Sequence, residues 1–301
     1  MGEILRRIFS PATFHETLRM ATPVALAAMG GAMTEHAGIM NIGMDGMILT
    51  GAFFAAYGSL LMGSGWLGLL LALLVGLLIG LLFAFFVVKL KADEFIIGCA
   101  LNTFAIGLTG FLSDTVFGYS GGKGMPALPK VQLSIFDSLP FVGETLQGLS
   151  VLFYLMLVLV FLLWLYVYRT PWGFRLRAAG EKPDTLRTAG ISPEAQKWLA
   201  SILCGLLCAV AGAYLSLGDL GGNFAKKMSN NRGYIAFACV IFASANPAKV
   251  LLAALMFGFF GAVGTGLQAY VSADLTEMLP YIITIIMMIF VVVRRRRKER
   301  L

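Results

Sequence analysis

The sequence predicts an all-α membrane protein, a polytopic bundle of about nine transmembrane helices. Three observations support this fold class. Hydrophobic residues make up 58% of the 301 and charged residues only 13%, with a mean hydropathy of +0.84. Charge-free runs recur at about the length that a helix needs to cross ~30 Å of hydrocarbon. These runs are rich in Leu, Gly and Ala, whereas the strands of a membrane barrel alternate apolar and polar residues.

The charge-free runs place the nine spans near residues 20–34, 46–61, 66–88, 95–113, 148–168, 198–218, 233–246, 250–271 and 278–293. Runs 46–61 and 233–246 are shorter than a full crossing. Each could extend into the neighbouring Gly- or Asn-rich residues, or stop part-way as a broken helix packed inside the protein. Residues 1–301 are expected to form a single transmembrane domain.

Basic residues predict the orientation, because loops rich in Lys and Arg stay on the cytoplasmic side. The tail 294–301 reads RRRRKERL and follows the last predicted span directly, so the C-terminus is expected in the cytoplasm beside anionic lipid. With nine spans the inner loops hold 15 cations and the outer loops eight. Three of those eight, Arg6, Arg7 and Arg19, argue against an outer N-terminus, and an even span count would move it inside.

Several function classes are excluded by the same features. The net charge of +7 is explained by topology, and no nucleic-acid-binding motif accompanies it, so no nucleic-acid partner is expected. All four cysteines lie in predicted spans, so we expect neither a disulfide framework nor a zinc site. The chain lacks a GxxxxGK[ST] loop and cannot bind ATP in that way. We therefore expect no catalytic residue, no metal and no cofactor.

The longest predicted cytoplasmic loop, 169–197, contains the charged stretch GEKPDTLRTAGISPEAQK. Pro183 suits the first position of a helix, Asp184 suits its positive start, and Gly190 can take the left-handed conformation that ends a helix near Ala189. This pattern predicts about two turns of helix beneath the membrane. Such a helix is either a docking element for a soluble partner or part of a solvated loop.

Two motifs resemble a known family. GFRLRAAGEKPDTLRTAGIS resembles the cytoplasmic coupling segment of bacterial ABC-transporter permeases of the branched-chain amino acid, ribose and nucleoside superfamily. ATPVALAAMGGAMTEHAGIMNIGMDGMILTGAF is similar to the segment by which the simple-sugar and nucleoside subgroup is known. SILCGLLCAVAGAYLSLG and GYIAFACVIFASANPAKVLLAALMFGFFGAV also fit, so the resemblance covers nearly the whole chain.

The resemblance implies an importer subunit, without chemistry of its own, in the bacterial cytoplasmic (inner) membrane. Two permeases, this chain and a copy or a paralogue, would form the pathway. Two cytoplasmic ATP-binding cassette ATPase subunits would drive it, and an extracytoplasmic solute-binding protein would deliver the solute. The residues expected to couple the chain to the ATPase form a helix in the 169–197 loop, the coupling helix, with its flanks: Gly180, Glu181, Pro183, Asp184, Leu186, Arg187 and Gly190.

A purine nucleoside is the first expectation for the solute, and riboflavin, a simple sugar and a branched-chain amino acid remain open. The alternative class is a gradient-driven secondary carrier or a channel working alone. Such a carrier would more often show charged residues in mid-span and would not need a docking loop.

The first motif differs from that of the subgroup, which commonly has Glu-Arg and a later Glu at these positions. Here the chain has Glu35, His36 and Asp45, the only acidic or basic residues between Arg19 and Lys89. Charge at membrane depth suggests function by default. In the nine-span arrangement these residues fall at the inner mouth, so simple solvation, or a local contact between Glu35 and His36, is the alternative.

Polar and aromatic residues inside the spans are candidates for the solute pathway. An amide at a break in a helix, or in an apolar span, either satisfies backbone and interhelical hydrogen bonds or meets a solute. An aromatic ring either packs or stacks on a planar solute. The candidates on these grounds are Asn41, Asp45, Phe53, Asn102 and Thr103.

Two outer stretches, 120–150 and the segment GDLGGNFAKKMSNNRGY, are too polar to be spans. Either could form part of the platform for a binding protein or be a solvated loop. The cations expected to pair with acidic residues of that partner are Lys123, Lys226, Lys227 and Arg232.

Overall fold

The computed structural model describes residues 10–118, 122–132, 140–268 and residue 282, and within them the regular elements are helices. The all-α prediction is therefore confirmed for this part of the chain. The helices are α1 Pro11–His36, α2 Met44–Met62, α3 Gly65–Ala84, α4 Glu94–Phe117, α5 Pro140–Leu146, α6 Val151–Arg169, α7 Pro171–Glu181, α8 Pro183–Thr188, α9 Pro193–Ala213, α10 Arg232–Phe242 and α11 Pro247–Leu267. Wider π-helical turns extend α3 over Phe85–Lys89 and α9 over Tyr214–Asp219.

Six of the described helices are long and apolar enough to cross a membrane, so the count of nine is not confirmed. These six are α2, α3, α4, α6, α9 and α11, where α3 and α9 include their π-helical turns. The predicted span at 278–293 and the tail 294–301 lie outside the described residues.

Two predicted spans differ from the structure for physical reasons. The run 20–34 lies in α1, which is long enough but less apolar, because it is surrounded by protein and buries small and polar residues such as Thr22 and Gly30. The run 233–246 corresponds to α10, whose 11 residues extend only ~16 Å. The run 233–246 is therefore a broken helix that stops part-way, whereas 46–61 is part of a full-length helix, α2.

The spans form an inner and an outer group. We compare the most apolar 18-residue stretch of each span. In α2 and α9, 78% of that stretch is buried inside the protein, against 28–33% in α3, α4, α6 and α11. Helix α9 packs against α1, α2 and α3, and α1 also packs against α10 and α11. Helices α1, α2 and α9 therefore form the centre, and the outer helices present apolar faces to their surroundings.

Small residues let the central helices approach closely. A Cβ atom added to Gly76 of α3 would lie 2.6 Å from the carbonyl oxygen of Gly205 in α9, and one added to Gly51 of α2 would lie 2.6 Å from the Cα of Ala209. Helices in lipid associate through such close van der Waals packing, because lipid tails are as apolar as the side chains.

Helix α1 joins the two ends of the bundle. Near its start, Arg19 Nε donates to Asp219 Oδ1 at 2.7 Å, at the end of the π-helical turn that extends α9. After its end, Gly38 lies against Gly180 of the 169–197 loop. Arg19 thus lies on the same side as Asp219.

The two stretches predicted as outer loops contact each other. Gly122 and Phe224 exchange two backbone hydrogen bonds of 3.1 and 2.8 Å, and Leu128 N–H donates to Leu217 O at 3.1 Å. Lys226, which we expected to be available to a binding protein, pairs with Asp114 at 2.5 Å. The described parts of these stretches are therefore structured rather than freely solvated.

Candidate functional site

Asn41 lies at the break between α1 and α2 and is buried. Its Oδ1 accepts from Gly43 N–H at 2.9 Å, and its Nδ2 lies 3.2 Å from Cys204 Sγ of α9. The side chain satisfies a backbone group that the break leaves free, as the structural interpretation predicts. It also ties the break to the central helix α9.

Asn102 of α4 connects three elements. Its Oδ1 accepts from Gly46 N–H in the first turn of α2 at 2.7 Å. Its Nδ2 donates to Ile42 O at 3.0 Å and to the Tyr234 hydroxyl of α10 at 2.9 Å. The amide therefore bonds to one free backbone N–H and one free backbone carbonyl where α2 begins. This is the interhelical role expected for an amide in an apolar span.

Asp45 is buried, with 6% of its surface exposed, so the interpretation of this residue as simply solvated is wrong. Its Oδ1 accepts from Gly233 N–H at 3.0 Å, and its Oδ2 accepts from the Ser229 hydroxyl at 2.9 Å. The chain before α10 folds back onto the start of α2, and a Cβ atom on Gly233 would overlap the Asp45 backbone. One carboxylate thus serves the N-terminal ends of two helices, where negative charge is favourable.

We call Asp45, Asn102, Ser229, Gly233 and Tyr234 the helix-start cluster. Sequence reasoning missed its last three members, because it assigned the segment GDLGGNFAKKMSNNRGY, which contains all three, to an outer loop. A signal was present in the motif NNRGY, which directly precedes an apolar run too short to cross the membrane. Such a run begins inside the protein, and its free N–H groups then need a buried acceptor.

Arg232 lies beside the cluster. Its Nη1 donates to Met228 O at 2.9 Å and to Ser229 O at 3.4 Å. The guanidinium thereby holds the loop that delivers Ser229 to Asp45. Its pairing with a binding protein, expected from the sequence, stays a prediction.

The two remaining pathway candidates lie apart from the cluster. Phe53 is buried in an aromatic group, with ring centroids 5.2 Å from Phe54 and 5.3 Å from Phe224. Thr103 is exposed, and its hydroxyl donates to Cys99 O at 3.0 Å. The structure thus brings together Asn41, Asp45 and Asn102 around the start of α2, and a pathway role for any of the five stays a prediction.

The 169–197 loop contains the short helix that the sequence predicts. Helix α8 begins at Pro183, and Gly190, at φ +74°, follows its last turn. Arg187 donates to Asp184 at 3.2 Å and to Glu194 at 2.6 Å, and the hydrogen bond with Glu194 raises the pKa of the guanidinium. Leu186 is only 5% exposed, so it holds α8 against the rest of the protein.

Helix α7, which precedes α8, touches the break between α1 and α2. A Cβ atom on Gly180 would lie 2.5 Å from His36 O and 2.7 Å from Gly38 N. The His36 ring packs edge-on against Tyr168 of α6, with centroids 6.2 Å apart. Glu35 and His36 are half-buried at this contact, so a movement of α7 must displace the end of α1 or be resisted by it.

A cavity of about 480 Å³ lies beside α8. Its walls come from the break between α1 and α2, from the turn between α3 and α4, and from the start of α9; the polar side chains among them are Lys91, Asp93, Glu94, Arg187, Glu194 and Lys197. This side of the protein therefore combines a short exposed helix, a charged hollow and a direct backbone contact with the helix break.

Comparisons with known proteins agree with this architecture. Residues 13–292 match the family described as "Branched-chain amino acid transport system / permease component". The chain is 30% identical to the guanosine ABC transporter permease protein NupQ of Bacillus subtilis, over 90% of this chain and 88% of the relative. It is also 30% identical to the nucleoside ABC transporter permease protein NupC of Lactococcus lactis, over 89% and 88%.

A third relative, the putative glucose ABC transporter permease protein TsgC13 of Haloferax volcanii, is 30% identical over 85% of this chain and 77% of its own. No solved structure matches the chain. The family match covers nearly the whole sequence, and the described helices have the length and composition of a multi-pass membrane protein. The chain therefore belongs to the branched-chain amino acid transport system permease family.

Proposed function

We propose that this chain is the permease subunit of an ATP-driven ABC importer that carries nucleosides, with purine nucleosides as the first candidates. One observation carries the proposal: two relatives named as guanosine and nucleoside permeases are each 30% identical to the chain across nearly all of both sequences. Within the inner membrane it would work with an ATP-binding cassette ATPase, a second permease and a solute-binding protein.

The geometry supports a mechanism of alternating access. Closure of the ATPase would push on α8 and the end of α7, and the contact between Gly180 and Gly38 would pass the displacement to the break between α1 and α2. The helix-start cluster joins that break to α4 and α10 through Asn102 and Asp45. Rigid elements that share such contacts move together, so the push would reach the helices around the pathway.

A simple sugar is the second candidate solute, because the putative glucose permease is as similar to the chain as the nucleoside permeases are. A gradient-driven carrier is the rival class, and it would act without an ATPase.

The decisive experiment isolates the protein gently from its native membrane and asks which proteins accompany it. We expect an ATPase and a second permease. The complex is then reconstituted in vesicles with its binding protein, and uptake of labelled guanosine is measured with and without ATP, with glucose and unlabelled nucleosides as competitors. ATP-dependent guanosine uptake supports the proposal. ATP-dependent uptake of labelled glucose without uptake of guanosine would favour the sugar, and uptake by the chain alone on an ion gradient would overturn the importer.

Reversal of the charge at Asp184 is expected to weaken assembly with the ATPase. The side chain is 90% exposed, so Asp184→Arg should leave the melting temperature unchanged. A misplaced charge at a partner surface should lower ATPase retention about tenfold, the effect of roughly 1.4 kcal/mol. Quantitative co-purification measures it.

The matched control for this variant is Lys123→Glu, an exposed charge reversal in the stretch predicted to lie on the outer side. It should retain the ATPase fully. Equal retention by both variants would show that α8 does not dock the ATPase at Asp184.

A further inference from the structure

We propose that the start of α7 is a lipid anchor. Trp172 inserts among the lipid headgroups on the side of the 169–197 loop, and Arg169 and Arg175 bind the phosphate of anionic phospholipids there. The part of this loop nearest the membrane thus binds lipid, whereas Phe174 lines the hollow between α7 and α8. The inference is independent of the transported solute.

The depth of this surface follows from the packing of α7 on α6. A Cβ atom on Gly173 would lie 2.5 Å from the carbonyl oxygen of Val167 and would also overlap Tyr166. Helix α7 therefore folds back directly onto the last turn of α6, a helix of membrane-spanning length. Trp172 directly precedes Gly173, so it lies level with the end of a membrane span, where the headgroups are.

The exposure of the Trp172 ring is unusual for a water-facing surface. Trp172 is 55% exposed. Aromatic side chains are enriched at the interface between membrane and water, where an apolar ring can lie partly in the hydrocarbon boundary. The surface also continues an apolar ridge of α6, on which Phe161 and Leu165 are exposed at a spacing of four residues before Arg169.

Positive charge accompanies the rings. The Arg175 guanidinium lies 5.1 Å from the centroid of the Trp172 ring, and that of Arg169 lies 5.7 Å from the Trp164 ring. Within the described part of the chain neither arginine forms an ion pair, whereas Arg187 of the same loop bonds to two carboxylates. Free cations beside apolar rings match an anionic lipid surface, which offers phosphate above hydrocarbon.

The first test places Trp172 by fluorescence. A variant that keeps Trp172 as its single tryptophan, with Trp66, Trp164 and Trp198 changed to Phe, is reconstituted in nanodiscs of phosphatidylcholine and phosphatidylglycerol. We expect lipids brominated near the headgroup to quench Trp172, and more strongly when the bromine is on phosphatidylglycerol. A variant that keeps only Trp66 is the control, since that ring is equally exposed at the start of α3 and no cation–ring contact is seen for it among the described residues. Its quenching should not depend on which lipid carries the bromine.

The second test removes one charge. Arg175→Gln should lower the apparent affinity for brominated phosphatidylglycerol about fivefold, the effect of one cation near an anionic surface. Arg187→Gln should leave it unchanged, because that guanidinium is already paired, and Arg175→Lys should restore it. Two results would overturn the proposal. One is an unquenched Trp172, which would show that protein covers the ring, and the other is an equal loss of lipid affinity in the two glutamine variants.

Discussion

Asp45→Leu is expected to abolish transport and to destabilise the protein. The substitution leaves the buried Gly233 N–H and the Ser229 hydroxyl without their acceptor. Each unpaired buried donor costs about 1–3 kcal/mol, so the two together are large beside the total stability of a folded protein. We expect the start of α10 to separate from α2, which lowers the melting temperature by several degrees and removes ATP-dependent uptake in vesicles.

Asp45→Asn is the matched control, because an amide can accept from Gly233 N–H and donate to the Ser229 hydroxyl without a charge. It should keep most of the melting temperature. Its uptake then measures what the negative charge itself contributes where two helices begin. A leucine variant as stable and as active as the unmodified protein would show that the helix-start cluster does not hold α2 and α10 together.

Gly180→Val is expected to uncouple ATP hydrolysis from transport. The new side chain would overlap His36 O and Gly38 N, which are backbone atoms and cannot move aside cheaply. The end of α7 must then separate from the break between α1 and α2, at the contact that we propose passes the push of the ATPase to the spans. We expect uptake to fall at least about tenfold, the effect of roughly 1.4 kcal/mol, which is within the usual cost of overpacking.

The measurement compares ATP hydrolysis and uptake by the same reconstituted complex. Gly266→Val is the control, since among the described residues no heavy atom outside that glycine's chain neighbours and own helix backbone lies within 4 Å of a Cβ atom there. It should leave both activities intact. Loss of hydrolysis and uptake in equal proportion in the Gly180 variant would point to lost docking, and unchanged uptake would show that the contact between Gly180 and Gly38 carries no signal.

The helix in the 169–197 loop shows where local sequence is sufficient. Pro183, Asp184 and Gly190 each have a conformational preference that acts within a few residues, and the helix begins and ends where they predict. The full-length spans were located for a similar reason, because hydrocarbon imposes a minimum length on any helix that faces it.

The central helices show where local sequence fails. A helix surrounded by protein need not be apolar, so α1 is less apolar than the outer spans although it runs through the middle of the bundle. A helix that begins inside the protein need not reach the other side, so α10 ends after 11 residues. Hydropathy reports contact with lipid, and these two helices are shaped by contact with other helices instead.

The sequence alone determined that the chain is a helical membrane protein with a short structured helix between two spans, and its motifs resembled the family that the comparisons then showed. Only the tertiary structure decided the place of Asp45. The sequence around Asp45 cannot tell whether the carboxylate is solvated or buried, because the segment that buries it follows more than 180 residues later in the chain. Contacts between residues so distant along the chain depend on how whole helices pack, and the conformational preferences of neighbouring residues do not indicate them.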